Sequence, residues 1–449
     1  MGEPSLLDAA LKAVRLCESL GGEGEAYASR VRTVSATIEN DQIVRAKTFR
    51  EEGLGFRFFL QGRMGFAYTS RLTVEGVEET VRRALKLARV SQPLEGWRGL
   101  PSPESYPEAQ ETYDGEIAEA EVGKAVSLAS EMLGEALSLD RRVKVSDGGV
   151  SLIYVQRALA NSLHVEAEDK GTWAHCHLST LAKEGSETTP SCFEFNHSRR
   201  LRLEAGWVGR EAARMALSAL GAGKAEGGRA CIVLGQQALL SLLSYTLVPA
   251  LKAENVQRGR SPLRGRMGER IASTLLTLTD DGLLPGGLNT SSFDDEGTPS
   301  RRTSLIERGV LRGFLYDHYR ACRDGVESTG NAFRASYAST PTIEPSNLVV
   351  EPSNLSPEGL LAEISYGFYV PYVQGAHSSN PESGEFSVVA TPAWFVENGE
   401  IRYPLKWVML TGTIYEVLNN VVDVANNLKK VNFLVAPWIK VSNVKVVGK

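Results

Sequence analysis

Cysteine is scarce and unpatterned in this chain. The five residues Cys17, Cys176, Cys192, Cys231 and Cys322 are odd in number, widely scattered and without a CxxC pair. That excludes a disulfide framework and argues for a reducing compartment. No apolar run reaches the length that spans a bilayer. The opening residues, MGEPSLLDAALKAVRLCESL, have neither the basic flank nor the continuous apolar stretch of a secretory leader, and Leu6 breaks the N-myristoylation pattern. A cytoplasmic protein with no membrane partner is expected. A basic excess is missing as well: the formal net charge is −5, so nucleic acid, which needs a basic face, is not an expected partner. The densest arginine cluster, Arg258, Arg260, Arg264, Arg266 and Arg270, lies in a Gly-rich stretch that reads as a solvated loop.

Common chemical signatures are absent too. The segment GAGKAEGG (221–228) has Ser218 where a phosphate loop needs its first Gly, and no Ser or Thr follows Lys224, so it reads as a linker. There is no G-x-S-x-G elbow, and His197 and His318 have no evident triad partners.

What is present is length and alternating pattern. At 449 residues the chain exceeds the size of one core, so two or three domains are expected. Leu6, Leu7, Ala10, Leu11 and Val14 mark an amphipathic helix ending at Gly21-Gly22. From Glu25 the pattern alternates, as a meander with turn signals at Asn40-Asp41, Glu52-Gly53 and Gln61-Gly62, followed by a helix from about Val74 to Val90. Residues 93–114 hold Pro93, Pro101, Pro103 and Pro107 and read as a connector. A second unit repeats the plan: helix over Ala118–Leu139, strands from Val143 to Phe195, helix over Ala205–Leu220. Beyond 226 the chain is strand-rich, with turns at Glu307–Gly309 and Asn398-Gly399, and Pro249 is expected to kink or end a helix begun near Gln236. The expected class is α+β: helix and antiparallel-sheet units over 1–92 and 115–222, then a C-terminal antiparallel β-barrel-like domain over 226–449.

Four groups of residues could carry chemistry. His164, Glu166 and Glu168 alternate on one expected strand, and His175 and His177 on the next, a spacing that a metal accepts. The plainer reading is a mixed-charge solvent face. Asp280-Asp281 and Asp294-Asp295-Glu296 adjoin Gly, where Asp closes turns through the backbone, so a structural or interface role is read there. Two polar, Gly-containing segments, TGNAFRASYAS and GAHSSNPESGEFS, suit contact with a peptide main chain or a partner. Their candidate residues are Thr329, Gly330, Asn331 and Tyr337, and His377, Ser378, Ser379 and Asn380.

Several motifs in fixed order carry a resemblance. QRGRSPLRGRMGE (Gln257–Glu269) with the run to Glu296, then TGNAFRASYASTP, SGEFS (Ser383–Ser387) and ENGEIRYPLKWVMLTGT (Glu397–Thr413), resemble the TldD/PmbA family of peptidase subunits. Its metal-bearing members have a His-Glu-x-x-x-His helix, which sets two imidazoles on one face with Glu beside the metal-bound water. Here that helix reads ALLSLLSYTLVPALKAENV (Ala238–Val256), without His and without Glu before Glu254. The ligand positions fall at about Ser241–Thr246 and hold Ser, Leu, Tyr or Thr. The family's further Cys ligand is also missing, since no Cys follows Cys322.

The chain therefore resembles the PmbA (TldE-like) subunit. The resemblance implies no catalytic or metal residue and no cofactor in this chain, with zinc in a TldD-like partner. It also implies a heterodimer or higher oligomer with that partner, acting on unfolded or modified peptides. The alternatives are a self-sufficient peptidase, with His164, Glu166, His175 and His177 as its clustered candidates, and a homodimeric peptide-binding module.

Overall fold

The computed structural model describes residues 5–448. Helix α1 (Leu6–Ser19) is capped by the Ser5 hydroxyl. Strands β1 (Glu23–Glu39), β2 (Gln42–Leu60) and β3 (Arg63–Thr69) then form the expected meander, closed by α2 (Val74–Val90). Asn40 and Asp41 both have positive φ, the geometry of a two-residue hairpin turn. The second unit comprises α3 (Gly115–Ala118), α4 (Val122–Leu139), β4 (Val143–Asn161), β5 (Glu166–Glu184), β6 (Glu187–Thr188), β7 (Cys192–Ser198) and α5 (Ala205–Ser218).

These two units share one sheet of seven strands, ordered β3-β2-β1-β4-β5-β6 with β7 also on β5. The seam is the antiparallel β1–β4 pairing, from Glu25 opposite Asn161 to Glu39 opposite Asp147. All four helices longer than one turn lie on the same side of it. α1 and α2 cover Ala26, Ala28, Phe56 and Phe58, and α4 and α5 cover Val34, Ala36, Ile38, Leu152 and Cys176. None of these four helices lies on the opposite face.

Two expectations are corrected. The Glu52-Gly53 signal is not a turn, because β2 runs through it. The glycines there make room instead: a Cβ on Gly53 would lie 2.4 Å from the Tyr337 ring, and one on Gly55 2.0 Å from the Tyr337 carbonyl. The helix expected from Ala118 breaks at residues 119–121, where Arg32 of β1 takes the carbonyls of Ala118 (2.8 Å) and Ala120 (2.6 Å). The proline-rich connector is fastened along its length. Trp97 stacks on Phe59 with ring centroids 4.1 Å apart, Asn161 donates to the Pro101 carbonyl, and the Tyr106 hydroxyl donates to Gly297.

The C-terminal region holds the largest apolar core, enclosed by curled sheets of nine and six strands. It is not wholly antiparallel. β8 (Gly228–Leu234) pairs in parallel with Tyr366–Val370, and Leu348–Val350 with Leu434–Ala436. The helical segment after β8 is split into α6 (Gln236–Tyr245), α7 (Leu247–Leu251) and α8 (Ala253–Gln257). The break falls before Pro249, at Thr246 (φ −130°, ψ −70°). A proline ring clashes with the carbonyl four residues earlier, here that of Tyr245.

Helices α4 and α5 approach closely because α5 has a glycine at the contact: a Cβ on Gly209 would meet the Met132 carbonyl at 2.1 Å. Gly209→Val is expected to destabilise the chain by about 1–3 kcal/mol through overpacking, read as a lower urea midpoint. An unchanged midpoint would refute this close-packing account.

Candidate functional site

The C-terminal region is fixed to the helix-free face of the sheet by a buried ionic junction. Arg57 of β2 donates to both Glu25 oxygens (3.0 and 2.5 Å) and to Glu296 (2.9 Å). Arg334 also donates to Glu25, while its backbone N–H donates to Asp295 at 2.7 Å. Arg157 of β4 reaches Asp295 (2.5 Å), Asp169 (3.0 Å) and the Phe293 carbonyl (3.0 Å). The acidic run 294–296 thus supplies the partners of three arginines, and its interface reading agrees with this placement. Burial raises the Asp294 carboxyl well above the usual range, and Glu296 beside it adds to that. Burial alone would raise Glu296 also, but Arg57 and the His318 N–H hold it below its ordinary value.

Beside this junction opens a cleft of about 490 Å³. Its floor is the helix-free sheet face: Tyr27, Val31 and Thr33 of β1, Phe49 and Glu51 of β2, Val155 and Arg157 of β4, and Trp173 of β5. Its roof is the C-terminal segments 289–300 and 330–346. Arg199 fastens that roof, donating to the carbonyls of Leu288 (3.0 Å) and Thr290 (3.1 Å) and lying 4.0 Å over the Trp173 ring.

The cleft gathers Gly330, Asn331 and Tyr337 from the sequence candidates. Thr329 sits behind them, accepting from the Tyr316 N–H at 2.6 Å and donating to Asn331 at 2.6 Å. Asn331 in turn donates to the buried Asp280 at 2.7 Å, whose carboxyl burial raises to about 6. The side chains of Thr329 and Asn331 therefore hold the turn, and Gly330, at φ +72°, shapes it.

The other candidates lie elsewhere. Ser378 and Asn380 line a second cleft of about 640 Å³, with Arg229, Glu385, Ser387, Thr411, Asn420 and Asn443. His377 is exposed, its ring centroid 6.5 Å from that of Tyr245 on α6. Ser379 Oγ is buried without a hydrogen-bond partner. The two clefts share no lining residue, so the five candidates that line them lie at two separate places, with Thr329 behind the first and His377 and Ser379 lining neither.

The histidine and glutamate set does not converge. His164 lies in the turn between β4 and β5 with φ +67°, and Glu166, Glu168, His175 and His177 all belong to one strand, β5. Alternation puts the two glutamates on one face and the two histidines on the other. The register adds what the sequence did not offer: His197 of β7 lies directly opposite His175. The three rings form a stack, with centroids 5.0 Å (His175 to His177) and 4.3 Å (His175 to His197) apart. A metal sits in the plane of each imidazole it binds, so near-parallel rings cannot aim at one ion. Among the described residues no group of three or more His, Cys, Asp or Glu is arranged to hold a metal. Burial drives His175 down to about 3, helped by the imidazoles of His197 and His177, and His197 to about 4, helped by Lys429, and it lowers His177 too.

Sequence models of the PmbA/TldA metallopeptidase match residues 24–88 (domain 1), 115–220 (central domain) and 227–448 (C-terminal domain). An uncharacterised protein of Methanocaldococcus jannaschii is 32% identical over 95% of this chain and 97% of its own length. The chain belongs to the PmbA/TldD metallopeptidase family. The metalloprotease PmbA of Escherichia coli O157:H7 is 25% identical over 99% of this chain and 96% of its own. The crystal structure of TldE from Thermococcus kodakarensis superposes with a TM-score of 0.93 at 32% identity, covering 98% of this chain and all of that one.

The family name implies a metal, but the residues of this chain's helical segment do not fit one. Ser241, Ser244 and Thr246 each turn a hydroxyl back to the carbonyl four residues earlier, those of Gln237, Leu240 and Leu242. The remaining side chains from Ala238 to Tyr245 are Ala, Leu and Tyr, and Leu239, Leu242 and Leu243 are buried in the core. No imidazole, thiol or carboxylate is offered.

Two predictions follow from these contacts. Arg57→Met leaves Glu25 and Glu296 short of their main cation, and a loss of about 3–5 kcal/mol is expected, measured by urea unfolding. Arg57→Met/Glu296→Gln should recover part of it. The histidine stack should make the fold acid-sensitive. Folded pKa values lie below the unfolded value near 6.5, so its stabilisation is full above pH 6.5. It is lost as the pH falls towards the folded values, because only the unfolded chain takes up protons there. His175→Phe/His197→Phe should flatten the stability profile between pH 6.5 and about 4, the window set by these shifts. An unaltered slope would sink that assignment.

Proposed function

We propose that this chain is the metal-free subunit of a two-chain zinc peptidase that degrades or processes unfolded or modified peptides. A TldD-like partner supplies the zinc, and this chain completes the chamber around it. One observation carries the reading: the helical stretch Ala238–Thr246, where the family's metal ligands belong, presents three back-bonded hydroxyls, Tyr245 and otherwise only Ala and Leu. The likeness to TldE supports it, as does the failure of the histidines and glutamates of β5 to share a face.

In this reading Thr329, Gly330, Asn331 and Tyr337 at one cleft, and His377, Ser378, Ser379 and Asn380 at the other, are contact segments for peptide or partner. Each segment carries a positive-φ glycine, Gly330 and Gly375. Main-chain pairing grips an extended peptide with little regard to its sequence.

The test is zinc content and cleavage of an unfolded peptide, measured on the chain alone and after mixing with the TldD-like protein of the same genome. No stoichiometric zinc and no chelator-sensitive cleavage are expected from the chain alone. Cleavage should appear in the mixture at a rate above that of the partner by itself. Stoichiometric zinc with chelator-sensitive cleavage in the isolated chain would overturn the proposal.

A further inference from the structure

The outer edge of β2 is unpaired over most of its length. β3 covers only Leu54–Leu60, so from Gln42 to Gly53 the strand is bonded to β1 on one side and, among the described residues, pairs with no strand on the other. The segment from Val44 to Glu51 is exposed throughout, with Val44 49% and Phe49 48% accessible. A long, open edge that presents apolar side chains is a template for another strand.

The register tells which side chains line each face of this edge. Ala46 and Thr48 stand opposite Ala36 and Val34, which face α4 and α5. Arg45, Lys47, Phe49 and Glu51 stand opposite Thr37, Ser35, Thr33 and Val31, on the helix-free face. Read along that face the order is positive, positive, aromatic, negative.

This order is complementary to its own reversal. We propose that the β2 edge pairs antiparallel with the same edge of a second copy of this chain, about a two-fold axis at Thr48. Arg45 then faces the second copy's Glu51, and Lys47 faces its Phe49, each pair occurring twice, as an isologous interface requires. Opposite charges across a strand pair attract, and a cation over an aromatic ring adds to them. Charged edges often guard against pairing, but here the signs match when the strand is reversed. Only registers that keep like faces together are open to it. An axis at Lys47 sets that lysine against itself, and one at Phe49 leaves Arg45 opposite Gly53.

The pairing joins two sheets into one, with both helix-free faces on the same side. Phe49 and Glu51 also line the junction cleft, so the second copy's Lys47 comes to the mouth of that cleft. The inference is independent of the zinc-partner reading, since it uses only this chain's own edge.

Sedimentation equilibrium of the full chain alone tests it. A reversible dimer is expected, weakened roughly ten- to hundred-fold by Arg45→Glu or by Glu51→Arg, because two attractive pairs become repulsive. The double variant R45E/E51R restores opposite charges and should recover wild-type dimerisation, which a merely structural effect of either change would not do. Amide exchange at residues 43–51 should slow as the protein concentration rises. A chain that stays monomeric overturns the proposal, as does a dimer indifferent to Arg45→Glu. Protection that appears only on adding reduced, carboxymethylated casein would assign the edge to extended peptide and overturn it equally.

Discussion

The arrangement of this molecule depends on Arg57. Its guanidinium binds Glu25 on the neighbouring strand and Glu296 from the C-terminal region, all three side chains being almost wholly buried. An ion pair taken out of water gains little net stability, because desolvation cancels much of the attraction. Its value lies in geometry. Each charge accepts one arrangement of partners, and an alternative docking of the C-terminal region would strand carboxylates without cations. Arg157 repeats the device through Asp295, and Arg334 through Glu25. The cleft between sheet and roof keeps its shape for this reason: its walls meet at fixed charges rather than at sliding apolar surfaces.

The same principle separates what could be read in the sequence from what could not. Helix α2, the Asn40-Asp41, Gln61-Gly62 and Asn398-Gly399 turns and the strand-rich C-terminal region were legible, because local pattern and turn chemistry determine them. Glu52-Gly53 misled, because the reason for that glycine is the ring of Tyr337, remote in sequence. The acidic run at 294–296 was legible as an interface element, but its partners were not, since nothing local couples it to Arg57, Arg157 and Arg334. His197 looked solitary because its neighbour His175 is set by strand register alone. The candidate contact residues were legible as polar turns, and only the fold divides them between two clefts.

Helical hydroxyls bear on the loss of metal chemistry in a further way. Ser and Thr inside a helix bond back to the preceding turn and weaken it slightly. Here three such residues lead up to the break at Thr246, and a second break follows at Lys252. A helix carrying metal ligands must hold its side chains to within fractions of an ångström. This interrupted segment answers instead to packing against a core of leucines.

The β1–β4 seam bears on how the chain comes together. The β1–β2 and β4–β5 hairpins each join neighbouring stretches of sequence, whereas the seam joins residues as distant as Glu25 and Asn161. Local hairpins form early and distant pairings late, since loop closure must precede any gain from contact. During synthesis the first hairpin therefore leaves the ribosome with the inner edge of β1 bare, and it stays bare until β4 has followed. For that interval the future centre of the sheet is an open edge, able to pair with any extended strand that reaches it before β4 does.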